Sequence, residues 1–513
     1  MNKIAQIIGY AGVASTRSAR SLAPIVIVTA TLLFAVFSAT VTAVFGQLAG
    51  LAICMLILGM WLLSSPRATV WVTMLGGLGV AGLVELYLPG LQAIRWVFAG
   101  LSVCLAGISF VHWVGGRTAT GSTTKGSNSL AIALCLFLCS VCLAAVAGRL
   151  PIVDAIVGLK NYFQMWGLMV ALAWLGYKPT EARRFITAFG VLALLQLPFV
   201  LHQFLVLVPQ RSGVADAARN IVAVDIVAGT FGGNMAGGGR SADLAVLVVL
   251  AITLFFAQWR TGLRGLASTL LFAALAFAPI LLNEAKLALV LLPVSFLLIF
   301  RDNIMRRPLR SLAGAVALAG VLALVIIGYA NLPGAAGQQS RSVDSFIEAT
   351  IDYNLGNRGY GGAVLNRSTV YGHWFTEHIH AGDAIHAVFG HGPGFANSTA
   401  ILRGDNPAAS RYLGYAIGLT GFSTLLWDTG VLGTSLFVFV LVSAYKLATK
   451  LLLQWSATPH EPAIKTAQIG VVLLGLSLFH NEYISFDVGF QTMLAVVLGY
   501  LLAMSRPQNI GEK

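Results

Sequence analysis

Residues 129–148 read SLAIALCLFLCSVCLAAVAG, twenty positions without a charged side chain. A bilayer core takes about 20 apolar residues per helix, so this stretch can cross a membrane. It holds Cys135, Cys139 and Cys142; Cys54 and Cys104 lie in similar apolar runs. No cysteine falls in a long polar loop where an oxidising compartment could pair it, so neither a disulfide framework nor a Cys-based zinc site is expected.

Comparable windows lie near 23–45, 47–64, 68–88, 95–114, 161–177 and 185–208. Others lie near 241–258, 266–283, 285–300, 311–331, 431–453, 466–482 and 485–504, which makes fourteen in all. Only Asn283, Glu284, Ala285 and Lys286 separate the ninth window from the tenth. Lys3, Arg17 and Arg20 precede the first window, which lacks an A-x-A cleavage pattern and reads as a retained span rather than a signal peptide. Of the 513 residues, 57% are hydrophobic and only 10% charged, against about 25% charged in a soluble globular chain. The expected fold is an all-α polytopic integral membrane protein. Soluble enzyme folds and intrinsic disorder are excluded, and the net charge of +13 is read against a bilayer rather than a nucleic acid.

Charge tests the span count independently. With the N-terminus cytoplasmic, 20 of the 32 Lys and Arg fall in inner connections and 12 face outward. The inner loops are short, so the positive-inside rule places both termini in the cytoplasm of a bacterial inner membrane. Residues 1–331 then hold eleven spans, with an outward loop at 209–240. A large periplasmic loop fills 332–430, and three more spans fill 431–513. Loops of that length normally carry function. Ser368–Ala387 is expected to be helical, between two glycine-rich turns.

Ten of the twelve outward cations are Arg, whose planar fork suits phosphate oxygens. Arg240, Arg358, Arg367 and Lys286 stand out as substrate-binding candidates. The alternatives are snorkelling to lipid phosphates and, for Lys286, a corner pair with Glu284. Five histidines crowd into 373–391 (His373, His378, His380, His386 and His391), but none form an i,i+4 pair, so no metal site is expected. His391, framed in Gly390-His391-Gly392-Pro393-Gly394, is the candidate acid–base group, with His378 and His380 expected on a solvated helix face. Gly229–Asn234 reads either as a flexible lid or as a substrate contact; no Gly-Lys-Ser/Thr follows, so it is not a nucleotide loop. His480 and Glu482 read either as a plain polar connection or as part of the site wall.

Asn366-Arg367-Ser368 with Trp374, then Phe389–Gly394, then Trp427-Asp428-Thr429-Gly430-Val431-Leu432-Gly433 resemble the core of the O-antigen ligase and polymerase superfamily. The likeness covers about residues 365–435. It implies a bundle whose periplasmic loop closes over a glycan on undecaprenyl diphosphate, the arginines holding the departing diphosphate without a catalytic metal or other cofactor. Arg367 and His391 would be catalytic, with Trp374, Arg240, Lys286, Arg358, His480 and Glu482 binding substrate. The ligases carry a histidine before the acidic-x-Gly entry, where this chain reads Gly418–Ser423. That departure favours a polymerase of O-antigen, capsule or exopolysaccharide, working with a possible chain-length regulator. Attachment of O-antigen to lipid A core and lipid-linked glycan flipping remain the alternatives. A transporter would place ionisable residues near the midplane, whereas here they gather in one outward loop.

Overall fold

The computed structural model describes residues 59, 64–91, 93–114, 125–212, 223–235, 239–306, 308–332, 342–356, 359, 364–396, 412 and 414–506. The first expected span, almost all of the second, Cys54 and Arg358 lie outside them. Among the described residues there is no strand, only an isolated bridge between Gly233 and Gly239. Among the described residues, eight helices are long and apolar enough to cross a membrane. Val70–Lys513 forms one compact unit, and Met1–Thr69 another.

In chain order the helices are α1 (Pro66–Tyr87), α2 (Ile94–Val114), α3 (Lys125–Ala147), α4 (Ile152–Phe163), α5 (Trp166–Trp174) and α6 (Pro179–Arg211). There follow α7 (Ser241–Arg260), α8 (Leu266–Leu281), α9 (Ala288–Arg306), α10 (Pro308–Ala330) and α11 (Val343–Leu355). The last are α12 (Thr369–Phe375, continued by a wide turn Thr376–His380), α13 (Ala384–Phe389), α14 (Gly421–Gln454), α15 (Glu461–Ser477) and α16 (Val488–Met504). Each expected span from 68–88 onward falls on helix, and Ser368–Ala387 becomes α12 and α13.

Burial orders the bundle. The apolar window of α7 is 83% buried and that of α10 only 6%, so α7 lies inside, packed by α6, α8, α9 and α15, and α10 lies at the rim. An apolar helix left exposed that far suits lipid rather than water. Cys104, Cys135, Cys139 and Cys142 are free thiols on exposed helix faces.

Two boundaries differ from the hydropathy reading and a third agrees with it, each fixed by particular contacts. Window 161–177 is two helices broken at Gln164 and Met165, where the Gln164 side chain donates to Phe486 O at 3.0 Å instead of capping its own helix. The corner between α8 and α9 is real. Glu284 takes a left-handed φ of 48° there, and the Tyr329 hydroxyl donates to Ile280 O (3.0 Å) and Ala285 O (3.3 Å). Finally, α14 starts at Gly421, ten residues before the expected span, because Thr420 and Ser423 form a capping box. The helix then breaks at Gly430, whose φ of 64° no β-carbon-bearing residue adopts readily.

Candidate functional site

Between α15 and α16 the chain runs outside regular helix as the link 478–487, and this link organises the first cluster. Arg367, just ahead of α12, donates from Nε to His480 O at 2.7 Å and from Nη1 to Asn354 Oδ1 at 2.9 Å, so α11, α12 and the link meet at one guanidinium. Lys286 pairs with Glu284 at 3.3 Å. Burial, and then the charges of Arg367 and Lys286, push the His480 imidazole well below its ordinary value, so it is neutral. Asp225 lies in the same field. Burial and Glu284 raise it to about 6, against the pull of Arg211, Lys286 and Arg367. Glu482 is raised to about 7 by burial. Three cations thus converge around Asp225, which a neutral pH leaves partly protonated, an arrangement able to hold an anion and exchange a proton.

Arg240 lies in a separate knot. Its guanidinium meets Glu85 at 2.8 Å and Asp487 at 2.6 Å and donates to Phe231 O at 3.1 Å. Asp487 also caps α16 through Phe490 N at 2.8 Å. The fork expected to grip phosphate is engaged by carboxylates, which makes Arg240 a tie between the loop before α7, α1 and α16. The neighbouring Gly229–Phe231 segment is buried and is not a lid. The Gln203 amide takes Ala228 N, Gly229 N and Gly229 O, and the Gln196 carbonyl takes Thr230 N. Two glutamines on α6 thereby satisfy backbone groups that an apolar bundle would leave orphaned.

The Gly390–Gly394 turn is bolted to the break in α14. Asp428, fully buried, accepts from Gly394 N (2.7 Å), Ala396 N (2.8 Å) and the Tyr162 hydroxyl (2.9 Å), while its backbone carbonyl accepts from Gly392 N (2.9 Å). A β-carbon on Gly390, whose φ is 77°, would sit 2.4 Å from the Asp428 carbonyl carbon. The acidic-x-Gly part of the motif is therefore scaffold.

The same turn sets His391 against a buried aromatic cluster. His378 Nδ1 lies 2.9 Å from Trp374 O, and since a carbonyl only accepts, Nδ1 carries the hydrogen. His378 Nε2 must then accept from His391 Nε2 at 2.9 Å, which leaves Nδ1 as the basic nitrogen of a neutral His391. Burial lowers the His378 pKa. His378 is only 2% exposed, which corrects the expectation that it decorates a solvated face; Trp374 and Trp427 cover it. His380 is exposed, as expected. Trp374 donates its Nε1–H to Leu426 O at 3.2 Å and serves the same packing.

Of the residues singled out in the sequence, the fold gathers Arg367, Lys286 and His480, and Glu482 follows His480 by two residues on the same link. It does not bring His391 to them. Thr369 and His378 are nine residues apart on helix, roughly 13 Å at about 1.5 Å per residue, and Arg367 turns the other way, toward Asn354 and His480. Asp225, Arg211 and the scaffolding role of Asp428 escaped sequence reading. Asp225 and Arg211 lie in a stretch read only as an outward loop, and nothing local marks them.

Asp383, His386 and His391 bring three metal-ligating atoms within 4.8 Å of one another. The His386 and His391 rings, however, stack at 4.1 Å and 11°, so their in-plane lone pairs do not converge on one point unless a ring turns. His386 Nδ1 already bonds Asp383 at 2.7 Å. Burial would raise the Asp383 pKa, but the His386 hydrogen bonds prevail and hold it below its ordinary value.

No protein-family model matches this chain, and no curated protein matches it. What fold and composition define is a helical, multi-spanning membrane protein with an ionic cluster built from the segments between its helices.

Proposed function

We propose that this protein is a polysaccharide polymerase of the bacterial inner membrane. It moves a glycan from undecaprenyl diphosphate to the terminal sugar hydroxyl of another lipid-linked glycan at the periplasmic face. The observation that carries the reading is the meeting of Arg367, Lys286 and Arg211 around Asp225 and His480, at the ends of apolar helices that a lipid tail can follow. Negative charge develops on the diphosphate oxygen as the anomeric bond breaks, and fixed cations in a poorly hydrated pocket stabilise it more than water does. The likeness of residues 365–435 to the ligase and polymerase superfamily supports the same class. The missing histidine at Gly418–Ser423 favours a polymerase over a ligase.

In this reading Arg367 and Lys286 hold the diphosphate, while Arg240 ties the loop before α7 to α1 and α16 and Trp374 packs against His378. Arg367→Lys keeps the charge but loses the planar fork. It should abolish most polymer formation in cells while the variant remains inserted at wild-type levels. Wild-type polymer from that variant would remove Arg367 from the site and the reading with it.

A further inference from the structure

The link 478–487 is fixed along its length by groups from four other segments. Leu478 O accepts from Phe422 N (3.2 Å), His480 O from Arg367 Nε (2.7 Å) and Asn481 O from Gly421 N (2.6 Å). Ile484 O and Phe486 O accept from the side chains of Gln491 (2.7 Å) and Gln164 (3.0 Å). Glu482 sits in the middle of these anchors, and among the described residues its side chain has neither a hydrogen bond nor an ion pair. Glu482 is half-buried; a carboxylate held there without a partner is costly, so a backbone fixed this firmly around it is a device for presenting it to whatever enters. Glu482 is two residues, at most roughly 7 Å of chain, from the carbonyl that grips Arg367.

We propose that Glu482 is the general base of the transfer, taking the proton from the acceptor hydroxyl as that oxygen attacks the donor's anomeric carbon. The proposal rests on the transferase reading of the Arg367 site. The hydroxyl oxygen forms the new bond to the anomeric carbon, and its proton passes to Glu482. The bond between the anomeric carbon and the diphosphate oxygen breaks, and its electron pair leaves on the diphosphate between Arg367 and Lys286. Glu482 then returns the proton to solvent. No oxidant, reductant or further reactant is needed.

The other acid–base groups fit less well. His480 is flanked by Arg367 and Lys286, whose charges oppose the proton a base must receive. Asp225 is the counter-ion within the same cations. His391 is joined to His378 at the far end of α12. A carboxyl held to about 7 by burial matches a base working near neutral pH.

The test uses full-length protein in membrane vesicles carrying the host's own lipid-linked repeat units, with undecaprenyl diphosphate as the binding probe for purified protein. Glu482→Gln should cut polymer formation at least about a hundredfold and leave undecaprenyl diphosphate affinity within about twofold, and formate should restore part of the activity of Glu482→Ala. Glu482→Gln retaining more than about a tenth of wild-type transfer would overturn the assignment, as would loss of probe binding in step with transfer, or no rescue of a Glu482→Ala that still binds the probe. If wild-type vesicles make no polymer and the wild-type protein does not bind the probe, the transferase reading itself falls.

Discussion

Glu482→Gln also carries a signature in stability, separate from any activity. The carboxyl titrates near 7 in the fold against an ordinary 4.5, with burial as the cause. Below 4.5 both the folded and the unfolded chain are protonated, and the fold bears no penalty. As pH rises past 4.5 the unfolded chain ionises while the folded one keeps its proton, so stability falls until the folded carboxyl also ionises near 7. Each pH unit of that gap is worth about 1.4 kcal/mol, so the full penalty is roughly 3 kcal/mol. Glutamine, neutral and of similar size, escapes it. Thermal unfolding of detergent-purified wild type and Glu482→Gln, followed from about pH 5 to about pH 8.5, should show the variant's advantage growing with pH and levelling off above about 7. A melting-temperature difference that stays flat with pH, or a wild type that gains on the variant as pH rises, would refute a raised, unpartnered carboxyl at this position.

Two further outcomes follow from the turn and its histidines. His378→Ala and His391→Ala should each destabilise the protein, by about 1–3 kcal/mol, and the double variant should cost less than the sum of the two, because both singles break one hydrogen bond; additive losses would dissolve the pair. Gly390→Ala, with φ at 77° and the Asp428 carbonyl in the way, should lower expression or melting temperature more than Gly382→Ala, which has a similar φ of 76° but open space around it; equal effects would mean the turn is not clamped.

The apolar helices were legible because hydropathy is a one-dimensional signal: a charge-free run such as 129–148 declares itself whatever surrounds it. The break at Gln164 was not, since both halves are apolar and only the Phe486 carbonyl, from a distant segment, tells them apart. The same holds for the polar residues. Arg240 looked like a phosphate fork because Glu85, 155 residues away, and Asp487 are not its neighbours in sequence. His378 looked solvated because the rings that cover it include Trp427 from α14. Arg367 was singled out because residue type and loop location together carried the argument, and neither depends on the partner. Glu482 was read as a polar connection or as part of the site wall that binds substrate; its isolation is a property of everything around it.

The clamp between the Gly390–Gly394 turn and the break in α14 has a mechanical consequence. Gly148 and Gly158 leave room for the backbone of His391 and Pro393 to press against α3 and α4, and Asp428 pins the turn from the opposite side. The turn thus fixes one end of the described segment 364–396, and near its other end Arg367 joins it to Asn354 of α11 and to the His480 carbonyl. A displacement of the Arg367 segment would therefore part the guanidinium from the link while the turn stays clamped, so position and charge are coupled at that end alone.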